Sequence, residues 1–420
     1  MDVGTHVAKR LYYDSAALEF TATVTDIRLD SRAGTDQLWQ VALDQTAFYP
    51  EGGGQPWDTG VLIAVARSGA TLEVPVERVE EDQHGEVWHF VRKPLVAGTE
   101  ITGIVNAERR IDHEQQHSGQ HLLSAIFLRE VGALTVSFHL GAESSTIDLA
   151  LREGVERLTD QEIQHVEEAT NRVVLEGRPL HSHWVERGLA KAMLERGDLR
   201  KIPEREGPLR IVQMQGIEFN ACGGTHVANT GAIGAILLRR IEKVRQGWRV
   251  EFVCGLRAVR TARKDFGTLG ETAQSLSIGA LDVPSRVATL LEDAKSAAKE
   301  RRNLLDELAR AEAVALVSKA EAGAIIHVTF AGRDVEFAKK VASKVAGFGR
   351  AAIIGVTSGA DGAIAIAATT VNCGAVLREV LSAAGARGGG SRETAQGVCR
   401  AHQVDALVAE LAARFLTSDI

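Results

Sequence analysis

Cysteine is scarce in this sequence of 420 residues, and long apolar runs are lacking. Four cysteines do not suggest a disulfide framework, and no apolar stretch approaches the roughly 20 residues that a membrane helix requires. The N-terminus also lacks a basic stretch followed by an apolar one, the pattern of a secretory signal. We therefore expect a protein of the reducing cytoplasm with no membrane segment.

Positive charge is also in deficit, since the net charge is −7 at pH 7. This balance argues against a protein that coats nucleic acid indiscriminately, but local basic patches can still bind RNA. One such patch covers residues 236–264, where nine basic side chains stand against two acidic ones. The content of 45% hydrophobic and 25% charged residues is otherwise ordinary for a globular protein, and the length predicts about two to four domains.

The predicted fold class is α+β, with several domains. Residues 1–104 are predicted to form an antiparallel β-barrel-like domain, because apolar and polar residues partly alternate between Gly and Asp clusters. Residues 105–265 mix helical and strand patterns and predict an α+β core. A heptad-like pattern predicts a long helix, as a helical hairpin or coiled coil, within 266–320. Alternating strands and helices predict a small α/β domain over 321–420.

Individual elements are predicted from the same patterns. Strands are expected near 18–24, 38–43, 71–76, 87–91, 135–151, 209–214, 232–253, 325–330, 351–356 and 363–367. Helices are expected over 112–131, 160–176, 283–318, 335–345, 376–384 and 404–416.

Two pairs of potential metal ligands carry the clearest chemical signal. His117-Ser-Gly-Gln-His121 lies on a predicted helix, where residues i and i+4 share one face and can bind one ion. Cys222-Gly-Gly-Thr-His226 contains glycines that allow a tight turn. Three nitrogens and one sulfur suit tetrahedral zinc, so we predict a Zn²⁺ site formed by these four residues. His113, one turn before His117, is an alternative ligand, and the simpler alternative is surface histidines with a core cysteine.

These motifs resemble a known family. The two metal motifs and the glycine-rich segment Thr46-Ala-Phe-Tyr-Pro-Glu-Gly-Gly-Gly-Gln55-Pro are similar to the editing domain of alanyl-tRNA synthetase and to the AlaX trans-editing proteins. Ser137-Phe-His-Leu-Gly and Lys243-Val-Arg-Gln-Gly-Trp-Arg249 also fit this pattern. The heptad helix and the terminal unit with Arg387-Gly-Gly-Gly resemble the coiled coil and C-terminal RNA-binding domain of the long AlaX form.

The resemblance implies an aminoacyl-tRNA deacylase that works in trans. The expected reaction is zinc-dependent hydrolysis of Ser-tRNA(Ala), and of Gly-tRNA(Ala), by an editing core at 105–265. Because the barrel begins near the N-terminus, we expect no class II aminoacylation core. The expected partner is mischarged tRNA(Ala). The long helix is expected to act as a spacer, with a homodimer formed through the C-terminal region as the alternative.

The resemblance also implies roles for individual residues, each with a structural alternative. The predicted catalytic residues are Thr46, to read the serine hydroxyl, Gln55, to hold substrate or position water, and Glu218, to accept a proton. Their alternatives are a strand-end threonine, a side chain that fixes the loop, and a solvated carboxylate, and Glu51 is a second candidate proton acceptor. The predicted substrate-binding residues are Gly52, Gly53, Gly54, His139, Lys243, Arg249 and Arg387.

Two other functions remain open from the sequence. One is a non-catalytic tRNA-binding module in which four protein ligands close a structural zinc site. The other is a small-molecule metallohydrolase whose C-terminal unit serves oligomerisation. A related enzyme that clears Ser-tRNA(Thr) is also conceivable, but the segment from Phe48 to Gln55 favours the alanine system.

Overall fold

A computed structural model describes residues 7–13, 18–30, 37–66, 68–204, 206–245 and 247–417. Its contacts divide the chain into two compact units, one ending at Leu269 and the other beginning at Gly270. The first unit includes both the barrel and the α+β core, so the division into four domains stays a prediction. Within the described ranges, every helix is too short or too polar to cross a membrane.

The first unit begins with antiparallel strands that close into a barrel, in the order β2-β3-β7-β6-β5-β8. In β6, Val74 and Val76 point into the barrel while their neighbours face outward, which is the period of two that predicted a strand. The predicted barrel is therefore confirmed. The strands are β1 (Lys9–Arg10), β2 (Glu19–Leu29), β3 (Trp39–Leu43), β4 (Gln45–Thr46), β5 (Gly60–Val65), β6 (Thr71–Glu81), β7 (Val87–Val91) and β8 (Glu100–Val105).

The α+β core follows the barrel without a break between units. Two antiparallel sheets, β14-β15-β10-β9 and β11-β12-β13, supply its strands. The elements in chain order are α1 (Ala107–Val131), β9 (Leu134–Leu140), β10 (Ser145–Ala150), α2 (Asp160–Glu176), β11 (Leu180–Val185), α3 (Arg187–Glu195), β12 (Leu209–Met214), β13 (Glu218–Ala221), β14 (Ile236–Val244), β15 (Gly247–Cys254) and α4 (Gly255–Ser275).

Helix α1 is the central helix of this core. Leu122, Leu123, Ile126 and Phe127 are fully buried on the apolar face that the sequence predicts. The helix begins earlier than predicted, because the side chain of Asn106 caps it by accepting a hydrogen bond from the backbone N–H of the third residue on. The early start extends α1 by more than one turn towards the barrel.

The second unit is the predicted small α/β domain together with the long helix. Its sheet has the order β16-β17-β18-β20-β19, with β16 and β17 parallel and the other neighbours antiparallel. The elements are α5 (Val283–Lys319), β16 (Ile326–Ala331), α6 (Val335–Gly347), β17 (Ala352–Ser358), β18 (Asp361–Ala367), α7 (Cys373–Ala383), β19 (Arg387–Gly390), β20 (Thr394–Arg400) and α8 (Val404–Thr417).

The long helix α5 is present, but its buried stripe differs from the predicted heptad seam. Ala309 and Ala313 are fully buried in one apolar cluster with Val341 of α6. The heptad-like pattern places apolar residues at alternating steps of three and four, and Leu304 and Ala311 belong to that series. Both are exposed. Small alanine side chains allow α6 to approach closely, and this contact selects a stripe shifted from the seam. A coiled-coil partner for α5 stays a prediction.

Candidate metal centre

The structure brings the four predicted metal ligands together. His117 and His121 come from α1, and Cys222 and His226 come from the loop that follows β13. One potential ligand atom from each residue lies within 4.8 Å of all the others. The Sγ atom of Cys222 lies 3.3 Å from Nε2 of His117 and 3.3 Å from Nε2 of His226. This group could hold a metal ion, and His113 is not part of it.

The loop from Cys222 to His226 is shaped by close approach to α1. A Cβ atom on Gly224 would lie 2.9 Å from Oε1 of Gln55 and would overlap the ring of His117. Neither Gly223 nor Gly224 has a positive φ. The sequence predicted that these glycines permit a tight turn, but at Gly224 the structural requirement is space beside an imidazole.

Each imidazole turns Nε2 towards the sulfur side and holds Nδ1 against an outer partner. The outer partners are Gln55 Oε1 at 2.8 Å for His117, Ser118 Oγ at 3.2 Å for His226, and Glu218 Oε1 at 3.4 Å for His121. Such partners fix the tautomer and the ring orientation of a metal-binding histidine. The three Nε2 atoms are therefore oriented as ligands.

Two further observations fit a metal ion at this position. Nε2 of His121 is buried and makes no hydrogen bond to any described residue, as expected for an atom whose partner is an ion. Burial raises the pKa of the Cys222 thiol, but the neighbouring His117 and His226 outweigh this effect and hold the pKa well below its usual value. A thiolate among imidazoles is a ligand set for a soft or borderline cation.

Both polar atoms of the Gln55 side chain form hydrogen bonds within the protein. Its Oε1 accepts from Nδ1–H of His117 and from the backbone N–H of Thr225, at 2.8 and 3.0 Å. Its Nε2 donates to Oγ1 of Thr225 at 2.9 Å, and the residue is 1% exposed. These hydrogen bonds hold the ring of His117 in place, and the contact of Gln55 with substrate stays a prediction.

Thr46 lies in a buried network that includes a histidine missed by the sequence reasoning. Burial lowers the pKa of His89 to about 4, so the ring is neutral near pH 7. Its Nδ1–H donates to the carbonyl of Val41 at 3.0 Å, and its Nε2 accepts from the Thr46 hydroxyl at 2.8 Å. Thr46 Oγ1 also accepts from the N–H of Phe48. A hydroxyl oxygen can accept two hydrogen bonds, so Oγ1 of Thr46 can accept one more.

Glu218 is held by neighbours on several sides. One carboxylate oxygen lies beside Nδ1 of His121 and accepts from the amide of Asn220, and the other forms an ion pair with Arg200. The side chain is 8% exposed. These contacts hold the carboxylate beside His121, and the role of Glu218 as a proton acceptor stays a prediction.

The glycine-rich loop lies against the core beside the metal centre. Gly53 and Gly54 have positive φ values of 55° and 81°, which glycine adopts without strain. A Cβ on Gly54 would come within 2.6 Å of the ring of Phe138, which neighbours the ring of His117 at 6.1 Å between centroids. Gly52 closes the loop through backbone hydrogen bonds with Gln55. The side chain of Phe138 therefore occupies the space beside Gly54, and binding of substrate by these three glycines stays a prediction.

The predicted RNA-binding residues occupy different surfaces. His139 and Lys243 are exposed on the sheet β14-β15-β10-β9. Arg249 of the same sheet forms a two-pronged ion pair with Asp148, at 2.7 and 2.9 Å, and its contact with a phosphate stays a prediction. Arg387 is exposed at the start of β19 in the second unit. Gln246, within the predicted basic motif, lies outside the described residues.

A buried ion pair that the sequence patterns do not predict joins α1 to the barrel. Arg110 and Asp58 are 2% and 0% exposed at their side chains. Arg110 also donates to the carbonyl of Ala47 at 2.6 Å, and Asp58 accepts from the N–H of Tyr49 at 2.7 Å. These contacts fix both ends of the glycine-rich loop relative to the metal-binding helix.

Comparison with known proteins identifies the family. A sequence profile of the threonyl and alanyl tRNA synthetase second additional domain matches residues 209–250, and one of class II (A) tRNA synthetases matches residues 3–109. The chain is 31% identical to alanyl-tRNA editing protein Aarsd1 of Bos taurus over 330 residues, which cover 76% of this chain and 71% of the relative. The chain belongs to the alanyl-tRNA editing protein family. The resemblance predicted from the motifs is confirmed.

Other members and relatives of the alanyl-tRNA editing family match at similar levels. Aarsd1 of Mus musculus is 29% identical over 347 residues, or 79% of each chain. Alanine–tRNA ligase of Pyrococcus furiosus is 33% identical over 407 residues, which cover 93% of this chain. The chain spans 42% of the length of that ligase.

Proposed function

We propose that this chain is a zinc-dependent deacylase that hydrolyses Ser-tRNA(Ala), and Gly-tRNA(Ala), in trans. The observation that carries this proposal is the convergence of one thiolate and three imidazoles, each imidazole held by an outer partner. The names of the Aarsd1 relatives, alanyl-tRNA editing proteins, support the substrate class.

Zinc is the metal that these ligands favour. Hard cations such as Mg²⁺ prefer oxygen ligands, whereas nitrogen and sulfur in a tetrahedral set are typical of Zn²⁺. When bound with an open coordination position, zinc polarises an ester carbonyl or lowers the pKa of water. The residues that would hold it are His117, His121, Cys222 and His226.

The protein's own residues would supply orientation and selectivity. Gln55 and Glu218 hold the rings of His117 and His121, so the geometry of the site is set before substrate binds. The acceptor position that remains on Thr46 suits a hydroxyl proton of serine, which alanine cannot offer. A site that demands such a hydrogen bond can discriminate strongly against an analogue that lacks the hydroxyl. Thr46 is fully buried, so its neighbours must move for this contact.

A purely structural zinc is the competing proposal, and the number of ligands favours it. Four protein ligands complete a tetrahedron, and closed sites of this kind are usually structural. A tRNA-binding protein with such a site would bind tRNA and hydrolyse nothing. The two proposals therefore differ in a single readout, the release of amino acid.

The decisive experiment measures amino acid released from Ser-tRNA(Ala), Gly-tRNA(Ala) and Ala-tRNA(Ala). We expect release from the seryl substrate, little from the alanyl one, and loss of release after chelation of the metal. His117→Ala should abolish release, whereas His165→Ala, which changes an exposed histidine on α2, should not. Equal turnover of all three substrates would exclude proofreading, and binding of tRNA without any release would favour the structural zinc.

A further inference from the structure

A cluster of aromatic and basic side chains beside the metal-binding loop has no role in the chemistry described so far. Tyr13, Trp184 and Arg210 form this cluster, which we call the aromatic platform. The Tyr13 and Trp184 ring centroids are 5.4 Å apart, nearly perpendicular, and Cζ of Arg210 lies 5.3 Å from the Tyr13 centroid. Trp184 of β11 and Arg210 of β12 are directly opposite each other across the strands, so their side chains emerge on one face.

The aromatic platform is tied to the metal-binding loop. Arg210 donates from one nitrogen to the carbonyls of Cys222 and Gly224, at 3.1 and 2.8 Å. The Tyr13 hydroxyl lies 3.8 Å from the position that a Cβ on Gly223 would take. A molecule that binds on the platform would therefore lie next to the candidate catalytic centre.

The platform borders a small polar pocket, and Trp184 is its accessible member, whereas Arg210 is buried. Trp184 is 50% exposed although it is a large aromatic residue. The pocket has a volume of about 140 Å³ and is lined by Tyr13, Arg210 and the metal ligand His226, among others. Its lining also includes Tyr12, whose hydroxyl is buried and finds no hydrogen-bond partner among the described residues. An aromatic side chain with an unpaired polar atom points to a ligand that is both planar and polar.

The charges around the platform favour an anionic ligand. The Cζ atom of Arg10 lies 5.9 Å from the centroid of the Tyr13 ring. The same guanidinium group forms an ion pair with Glu81. The pocket contains one carboxyl group, Glu114, and burial raises its pKa to about 7, so much of its negative charge is lost near neutral pH. Glu114 therefore opposes an anionic ligand in the pocket only weakly.

We infer that the aromatic platform stacks an unpaired base at the single-stranded 3′ end of the tRNA, next to the ester that the metal centre would act on. Unpaired bases of RNA are commonly bound by stacking on aromatic rings and guanidinium planes, with polar groups at the base edge. The pocket is far smaller than the ~300–1,000 Å³ of drug-sized ligand sites, so it suits one planar ring. This inference rests on the proposed function, because it takes tRNA as the substrate.

The test measures, by fluorescence anisotropy, how tightly the full chain binds a short single-stranded RNA. This RNA ends in the CCA sequence of tRNA and carries no amino acid. Trp184→Ala should weaken binding roughly tenfold, within the range seen when one base loses its aromatic partner. Trp184→Phe should retain most of the affinity, and Trp184→Leu, which is apolar but has no aromatic face, should behave like alanine. The control is Leu175→Ala, which shortens an 86% exposed apolar side chain on α2 and should change nothing.

Tyr12→Phe is a second variant that keeps the ring and removes only the unpaired hydroxyl. Since that hydroxyl has no partner in the described structure, the variant should unfold at the same temperature or higher, yet bind the RNA a few-fold more weakly. Unchanged affinity in Trp184→Ala and Tyr12→Phe would overturn the inference.

The binding assay contains no ester, so its result is independent of catalysis. If the wild-type chain hydrolyses Ser-tRNA(Ala) and Trp184→Ala has the same Kd and KM, the platform inference fails while the proposed function stands. If the wild-type chain binds RNA through Trp184 but releases no amino acid, the proposed function fails while the platform stands.

Discussion

The metal centre and the basic hairpin of β14 and β15 both gather polar side chains in the first unit, but they hold them differently. At the centre, residues more than a hundred positions apart meet in one site, and Nδ1 of each imidazole lies beside an outer partner. On the hairpin, Lys243 is exposed and Arg249 pairs with nearby Asp148. A buried polar group left without its partner is costly, whereas an exposed charge returns to water. Single substitutions should therefore have large effects near the centre and small ones on the hairpin.

The largest effect is expected from the ion pair that anchors α1 to the barrel. Asp58→Ala leaves Arg110 buried without its partner, which should lower the free energy of unfolding by about 3–5 kcal/mol. The matched control is Asp265→Ala, which removes the partner of Arg239 from a half-exposed pair and should cost less than about 1 kcal/mol. Denaturant unfolding measures both values. Similar costs for the two variants would remove the contrast between buried and exposed pairs.

The next effect concerns the outer partners of the metal ligands. Gln55→Ala and Glu218→Gln should each weaken metal binding by about 10–100-fold, because they release the ring orientation of His117 and His121. Competition with a chromophoric chelator measures the affinity. His165→Ala is the control on an exposed histidine. Unchanged affinity in both variants would mean that these contacts do not orient the ligands.

A pH-dependent effect of intermediate size is expected from His89. Its pKa is about 4 in the folded protein and near 6.5 when exposed, so between these values the unfolded chain binds a proton that the folded chain excludes. The contribution of His89 is therefore complete above pH 6.5 and is lost as the pH falls towards 4. His89→Gln should flatten the decline of unfolding free energy across this window, measured with denaturant at several pH values. An identical slope in the variant would contradict a buried neutral His89.

The smallest effect is expected on the hairpin. Lys243→Ala should leave stability unchanged, weaken tRNA binding modestly, and reduce the slope of log affinity against log salt by about one. Arg249→Ala should change the slope less, because Asp148 already partners that charge. Asp148→Ala should make Arg249 available and strengthen binding. Titrations at several salt concentrations test all three, and a larger slope change for Arg249 than for Lys243 would reverse this assignment.

Local patterns predicted much of the fold because their causes are local. Helix α2 begins and ends where predicted, since Thr159 and Glu162 form a capping box and Gly177 adopts a positive φ at the end. Strands β5 and β8 were not predicted, and each contains a glycine, Gly60 and Gly103. A Cβ on Gly103 would overlap the ring of Phe20 on the neighbouring strand. That requirement depends on a pairing between distant strands, which periodicity does not contain.

In the candidate site too, the features set by local spacing were predictable, and those set by contacts between distant residues were not. The metal ligands followed from residue type and spacing, and the structure brings them together. The contacts of Gln55 and Glu218 did not follow, because their partners are 62 and 97 positions away, in His117 and His121. His89 and Arg110 gave no signal, since a histidine in a strand and an arginine near a helix start usually face solvent. The burial of Arg110 depends on how the barrel meets α1, and that of His89 on contacts within the barrel.

The most direct test of the metal centre is X-ray absorption spectroscopy at the zinc edge of the purified full chain. We predict one sulfur at about 2.3 Å and nitrogens at about 2.0–2.1 Å, with the sulfur lost in Cys222→Ser. A shell of oxygen alone, or a sulfur that persists in Cys222→Ser, would contradict the proposal that these two distant motifs bind one ion.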